Sequence, residues 1–178
     1  MRLSLARKII VEGIKKNVAQ TLKKPITFHL EGSMGIGKTA LARQIAEDLG
    51  FYLVIVSLPQ LEPTDIGGMR MPKGDRMIVL QPDWYVDAEQ MAKLKAEGYK
   101  GVLYFFDELP QAPILNMNIY AQIADEYRIG DYKLDRTECY VMSAGNKLSD
   151  KAGTNAMPSH VIDRLTFLEI EPNLDDTC

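Results

Sequence analysis

A chain containing Gly32-Ser33-Met34-Gly35-Ile36-Gly37-Lys38-Thr39 has few folds open to it. Two glycines, a lysine and a hydroxyl residue stand there at the spacing of a phosphate-binding loop. Glycines let successive backbone N–H groups turn inward around an anion, and a helix that follows points its positive end at the same place. Lys38 would reach the outer phosphates as a point charge, and the Thr39 hydroxyl would hold a Mg²⁺ ion. The backbone from Gly32 through Ser33, Met34, Gly35, Ile36, Gly37, Lys38 and Thr39 to Ala40 is therefore the candidate cradle. Its setting agrees with this role. Residues 26–30 (Ile-Thr-Phe-His-Leu) read as a buried strand, and residues 40–49 read as a helix with Leu41, Ile45 and Leu49 on one face and Gly50 closing it.

A second stretch carries chemistry. Val102-Leu103-Tyr104-Phe105-Phe106-Asp107-Glu108 is a continuous apolar run, read as a strand covered on both faces, whose last residues emerge at the carboxyl edge of a sheet. Asp107 is the candidate Mg²⁺ ligand, through water, and Glu108 the candidate group that orients and polarises an attacking water. The other reading of this pair is an acidic turn that caps a helix starting near Gln111.

The remaining chain reads as alternating elements. Ala6, Ile10, Ile14, Val18 and Leu22 lie four apart, so residues 4–22 form an amphipathic helix. Its basic character leaves two roles open, a membrane-surface or targeting segment and a solvated helix packed beside the nucleotide site; the stripe running on towards the first strand favours the second. Residues 51–57 (Phe-Tyr-Leu-Val-Ile-Val-Ser) are expected to form a central strand. Residues 58–85, with Pro59, Pro63, Gly67, Gly68, Pro72, Gly74 and Pro82, form an excursion with a hairpin at Lys73-Gly74-Asp75, and Trp84 returns it to the core. Helices over 86–97 and 113–127 follow, the latter with Leu115, Ile119 and Ile123 as its stripe. A hairpin about Gly130-Asp131, a buried strand from Cys139 to Ala144, a short helix ending at Arg164 and a strand over 165–170 complete the chain.

Composition sets the limits. A chain of 178 residues, 46% of them hydrophobic, can bury one substantial core. The net charge of −3 argues against a dominant nucleic-acid surface, although Arg2, Arg7, Lys8, Lys15, Lys16, Lys23 and Lys24 face only Glu12 in the opening stretch. No apolar run is long enough to span a bilayer. Cys139 and Cys178 make neither a metal set nor a disulfide framework, which fits a cytoplasmic compartment. His29 and His160 lack a partner at metal-ligand spacing and are read as structural.

Three further stretches carry a family resemblance. Asp107-Glu108-Leu109-Pro110-Gln111-Ala112-Pro113 resembles a signature of the MoxR-like branch of the AAA+ ATPases, a class of P-loop nucleoside triphosphatases. Ser143-Ala144-Gly145-Asn146-Lys147 is similar to its sensor 1, Met157-Pro158 through Asp163-Arg164-Leu165 to its arginine-finger segment, and residues 63–68 to an element of the insertion before its second helix. The resemblance implies a three-layer αβα fold around a mainly parallel five-stranded sheet, with residues 1–24 as an amphipathic helix and linker and residues 25–178 as the nucleotide-binding domain. It implies ATP and ADP with Mg²⁺ as ligands, and catalytic roles for Lys38, Glu108, Asn146 and Arg164. Arg164 would be given in trans to a neighbour's γ-phosphate, which makes the site a property of a ring, taken as a hexamer. A client protein is implied as well, among them a partner carrying a von Willebrand factor A domain. The family follows this domain with a helical lid, and the sequence ends at Asn173 to Cys178, about where that lid is expected to begin, so the expectation is either a lidless chain or a fragment of a longer protein.

Local readings remain beside these roles. Asn146 after Gly145 also suits a turn that ends a strand, and Arg164 beside Asp163 also suits a surface ion pair. The favoured function is an ATPase that remodels a partner. The alternatives are a nucleotide-gated assembly module with little hydrolysis, a small-molecule or nucleotide kinase, and an ATPase that handles DNA.

Overall fold

A computed structural model describes residues 1–147, 149 and 155–171. The stretch from Asn173 to Cys178, where the sequence reading puts the start of a lid, lies outside the described residues.

Five strands form one parallel sheet: β1 (Phe28–Glu31), β2 (Phe51–Ser57), β5 (Gly101–Asp107), β8 (Cys139–Gly145) and β9 (Thr166–Glu169), in the order β2-β5-β8-β1-β9. Two antiparallel hairpins, β3–β4 (Met69–Lys73 and Arg76–Leu80) and β6–β7 (Arg128–Ile129 and Tyr132–Lys133), stand apart from it. The helices are α1 (Leu3–Val18), α2 (Lys38–Leu49), α3 (Pro63–Gly67), α4 (Ala88–Ala96), α5 (Ile114–Glu126) and α6 (Ser159–Ile162).

The two apolar runs of β5 and β8 dictate the layers. Successive side chains of a strand point to opposite faces. Val102, Tyr104, Phe106 and Val141 accordingly enter one core with Met117, Tyr120 and Ala124 of α5. Leu103, Phe105, Tyr140 and Met142 enter the other with Ala6, Ile10 and Ile14 of α1 and Leu41 and Ile45 of α2. The opening helix is thus built into the second layer. At its end Asn17 donates to Ile26 O at 2.8 Å and accepts from Ile26 N at 3.0 Å, which sets the entry into β1.

Three expectations are corrected. Residues 51–57 form a strand at the predicted positions, but among the described residues β2 is an edge strand: its one partner there is β5, and Tyr52 and Ile55 are exposed. The stripe on α1 stops at Val18, and Leu22 lies beyond the helix. On α5 the expected stripe holds at Ile123, which is buried, while Ile119 is half-buried and Leu115 is 56% exposed, and the buried face is Asn116, Met117, Tyr120, Ala121, Ile123 and Ala124. Asn116 is the polar member of that face. Its amide donates to Leu58 O at 3.1 Å and Leu61 O at 2.8 Å, fastening the excursion to the helix, while Tyr120 packs on Phe106 with ring centroids 5.0 Å apart. The excursion returns as expected at Trp84, whose ring meets Tyr104 and Phe106 edge-on and whose indole N–H donates to Asp65 O at 3.1 Å.

The connections from β1 and β8, which are neighbours, leave in opposite directions, β1 towards β2 and β8 towards β9. Open α/β sheets bind ligands at such a switch point, outside the carboxyl ends of the strands.

Candidate nucleotide site

The glycine-rich loop occupies that switch point. Gly35 and Gly37 take left-handed backbone angles (φ 76° and 97°), a conformation open chiefly to glycine, and α2 begins immediately after Gly37. At Gly32 a β-carbon would lie 3.0 Å from Ile170 O, so the loop's start admits no side chain without a shift. The Gly32 N–H donates to Gly145 O at 3.2 Å and ties the loop to the end of β8.

Lys38 is 8% exposed and its ammonium donates to Gly32 O at 2.6 Å, Ser33 O at 3.0 Å and Asn146 Oδ1 at 3.0 Å. Thr39 donates its hydroxyl to Asp107 Oδ2 at 2.9 Å. The other Asp107 oxygen accepts from the Glu108 N–H at 2.9 Å. Glu108 itself sits at φ 59°, a left-handed angle that costs a side-chain-bearing residue about 1–3 kcal/mol and clusters at functional sites. Two hydrogen bonds thus leave the adjacent Lys38 and Thr39 for two other strand ends, Lys38 to Asn146 after β8 and Thr39 to Asp107, which Glu108 follows, at the end of β5.

Ser57 is the residue that sequence reasoning missed. Its hydroxyl donates to Glu108 Oε2 at 3.0 Å. The signal was a hydroxyl ending an otherwise apolar run, and it becomes meaningful only through register, because Ser57 pairs with Asp107 across β2 and β5.

Arg164 is not joined to this cluster. Its guanidinium bonds Asp125 Oδ2 at 3.4 Å and His160 O at 2.6 Å, and the side chain is 37% exposed. The ion pair runs to Asp125 on α5, not to the neighbouring Asp163. His160 bonds Asn118 at 2.8 Å. Cys139 is buried, and burial pushes its thiol up to about 12, which removes it from redox or nucleophilic chemistry at neutral pH.

Thr39 Oγ1 and Asp107 Oδ2 are hard oxygen donors within 2.9 Å of one another, which suits Mg²⁺, an ion that takes one or two protein oxygens and fills its other positions with water and phosphate. Among the described residues no group of three or more His, Cys, Asp or Glu stands close enough to form a complete metal cage.

Residues 28–111 match the family model for AAA, the ATPase family associated with various cellular activities. The fold is that of an AAA+ P-loop ATPase. The match spans the glycine-rich loop, Ser57 and the acids that end β5, and it stops before Asn146 and Arg164. The AAA+ fold is shared by a RuvB mutant of Thermotoga maritima, with a TM-score of 0.57 and 15% sequence identity over 94% of this chain and 45% of that one. The chain thus spans less than half the length of that solved structure. No helix among the described residues is long and apolar enough to cross a membrane.

Proposed function

We propose that this chain binds ATP with Mg²⁺ at the Gly32–Ala40 loop and hydrolyses it, as a subunit of a ring that remodels a partner protein. The observation that carries the reading is the convergence of Lys38, Thr39, Asp107, Glu108 and Asn146 at one strand-end crevice. Thr39 and Asp107 would hold Mg²⁺, and the ion would supply charge neutralisation to the phosphates. Lys38 already has an ammonium aimed at carbonyl and amide oxygens, and an incoming phosphate takes the place of some of these acceptors. Once Lys38 turns to the phosphate, Asn146 is released to hold a water by donating and accepting at once. Glu108 accepts that water's hydrogen bond and aligns it with the departing phosphoryl group. A neighbour's Arg164 supplies the remaining positive charge, after giving up its bond to Asp125. The likeness of residues 107–113 and 143–147 to the MoxR-like branch supports that placement within the AAA+ proteins, with a von Willebrand factor A-domain protein as the candidate client.

Two substitutions test the roles. Glu108→Gln keeps ATP binding and loses turnover by a factor of about 100 or more, whereas Lys38→Ala loses binding itself. Titration with a fluorescent ATP analogue and phosphate release separate the two. Equal turnover in Glu108→Gln and wild type would remove the assigned role of Glu108.

One observation favours a second reading. Ser57 holds one oxygen of the Glu108 carboxylate at 3.0 Å, so the direction in which Glu108 points is set from β2. A nucleotide-gated module that turns over only with its partner bound would use this same arrangement, and stimulation of phosphate release by a client would distinguish it.

A further inference from the structure

His29 is left without work by the mechanism above, yet its surroundings are costly to build. It lies on β1 between Phe28 and Leu30 and is fully buried. Its Nδ1 shares a hydrogen bond with Ser143 Oγ at 2.9 Å, while Nε2 is buried without a partner. A leucine would fill such a position without leaving a nitrogen unpaired, so a purely structural account has no need of the imidazole.

The register explains where the ring acts. His29 pairs with Ser143 on one side and with Phe167 on the other, and its ring packs on that of Phe167 with centroids 5.0 Å apart. Along the chain, two residues lie between His29 and Gly32 and between Ser143 and Asn146, while Arg164 stands before β9, at the opposite edge of the sheet. One side chain thus touches both strands beside β1, through Ser143 on β8 and Phe167 on β9. It also lies under Gly145: a β-carbon on that residue would sit 3.5 Å from His29 Cε1 and 2.0 Å from Pro110 Cδ. The last residue before Asn146 is bounded by His29 and by the proline that follows the Asp107–Glu108 pair.

We propose that His29 is a positioning residue for Asn146, which through Ser143 and against Gly145 fixes the end of β8 where the Asn146 amide meets Lys38 and, later, the attacking water. Burial and the Lys38 charge push the His29 pKa down to about 3, so the ring stays neutral at working pH and contributes geometry instead of a proton. The catalytic consequence rests on the ATPase reading; the positional one does not.

The test uses His29→Leu, which removes the bond at similar volume, and His29→Asn, whose amide atoms stand where Nδ1 does. In nucleotide-free protein the side-chain amide of Asn146, observed by ¹⁵N NMR, shifts in His29→Leu and returns near the wild-type position in His29→Asn. Turnover of ATP falls about tenfold in His29→Leu, with KM within about twofold, because a misplaced water-holding group harms the transition state and not ground-state binding. His29→Asn recovers most of it. Should His29→Leu not fold, Ser143→Ala removes the same bond from the other strand and shifts the same amide. An unmoved Asn146 amide overturns the proposal, as does an equal loss in the Leu and Asn variants with KM rising alongside. A shifted amide in a protein that never hydrolyses ATP supports the positioning and sinks the ATPase reading instead.

Discussion

At Lys38 three protein oxygens receive the ammonium's hydrogen bonds, so one side chain ties the glycine-rich loop to Asn146 at the end of β8. The same cation acts on its neighbour, because His29 is buried beside it and is held neutral far below the ordinary histidine value. That depression has a sign. The unfolded chain binds a proton at His29 below about 6.5, while the folded chain refuses it until about 3, so stability present above 6.5 is lost as the pH falls through that window. The slope reaches about 1.4 kcal/mol per pH unit for one proton. Asp48 and Asp135, held below their ordinary value of 3.8 by Arg7 and Thr137, add to the loss only at lower pH. Denaturant unfolding between pH 6.5 and 4 should therefore show a decline in wild type that is flattened in His29→Leu; identical slopes in the two proteins would mean that His29 is protonated normally. At this scale the sequence displayed Lys38, Thr39, Asp107 and Glu108, because each belongs to a short pattern whose spacing is itself the mechanism. Ser57 and His29 stayed hidden because their partners, Glu108 and Ser143, lie 51 and 114 residues away and meet them only through strand register.

Elements in this fold are fixed to one another by a few buried polar groups. Asn17, at the end of α1, is 2% exposed and satisfies both the N–H and the C=O of Ile26. Replacing it with alanine leaves the Ile26 N–H unpaired, while Ile26 O keeps the Tyr140 hydroxyl at 2.7 Å, so Asn17→Ala should lower unfolding stability by about 1–3 kcal/mol. Nucleotide affinity should change little, since the loop begins beyond β1. A denaturant midpoint within error of wild type would show that α1 is held by its apolar face alone. Element positions were legible wherever apolar periodicity was strong, as in β5 and β8. Their neighbours were less so. The apolar run of β2 is compatible with either a central or an edge place, and the face that α5 buries includes Asn116, a polar residue that a hydrophobic stripe passes over.

Across the whole molecule, charge and site are divided in a way that a single subunit does not resolve. Arg164 belongs to the Asp125–His160 cluster and not to the crevice that holds Lys38 and Glu108. Its weak, half-exposed ion pair with Asp125 is readily given up, since such surface pairs contribute about 0–1 kcal/mol. A ring in which each Arg164 serves the next subunit's γ-phosphate makes turnover depend on assembly. The finger role is proposed on resemblance alone, because no local physical pattern distinguishes a finger from an ordinary surface arginine. The most direct measurement is Mg-ATP hydrolysis per subunit over a series of protein concentrations, for wild type and for Arg164→Ala. Specific activity should climb with concentration in wild type and fall at least about 100-fold in the variant, with ATP binding kept. Activity that is flat with concentration and unaffected by Arg164→Ala would contradict the account and describe a self-contained nucleotidase or kinase.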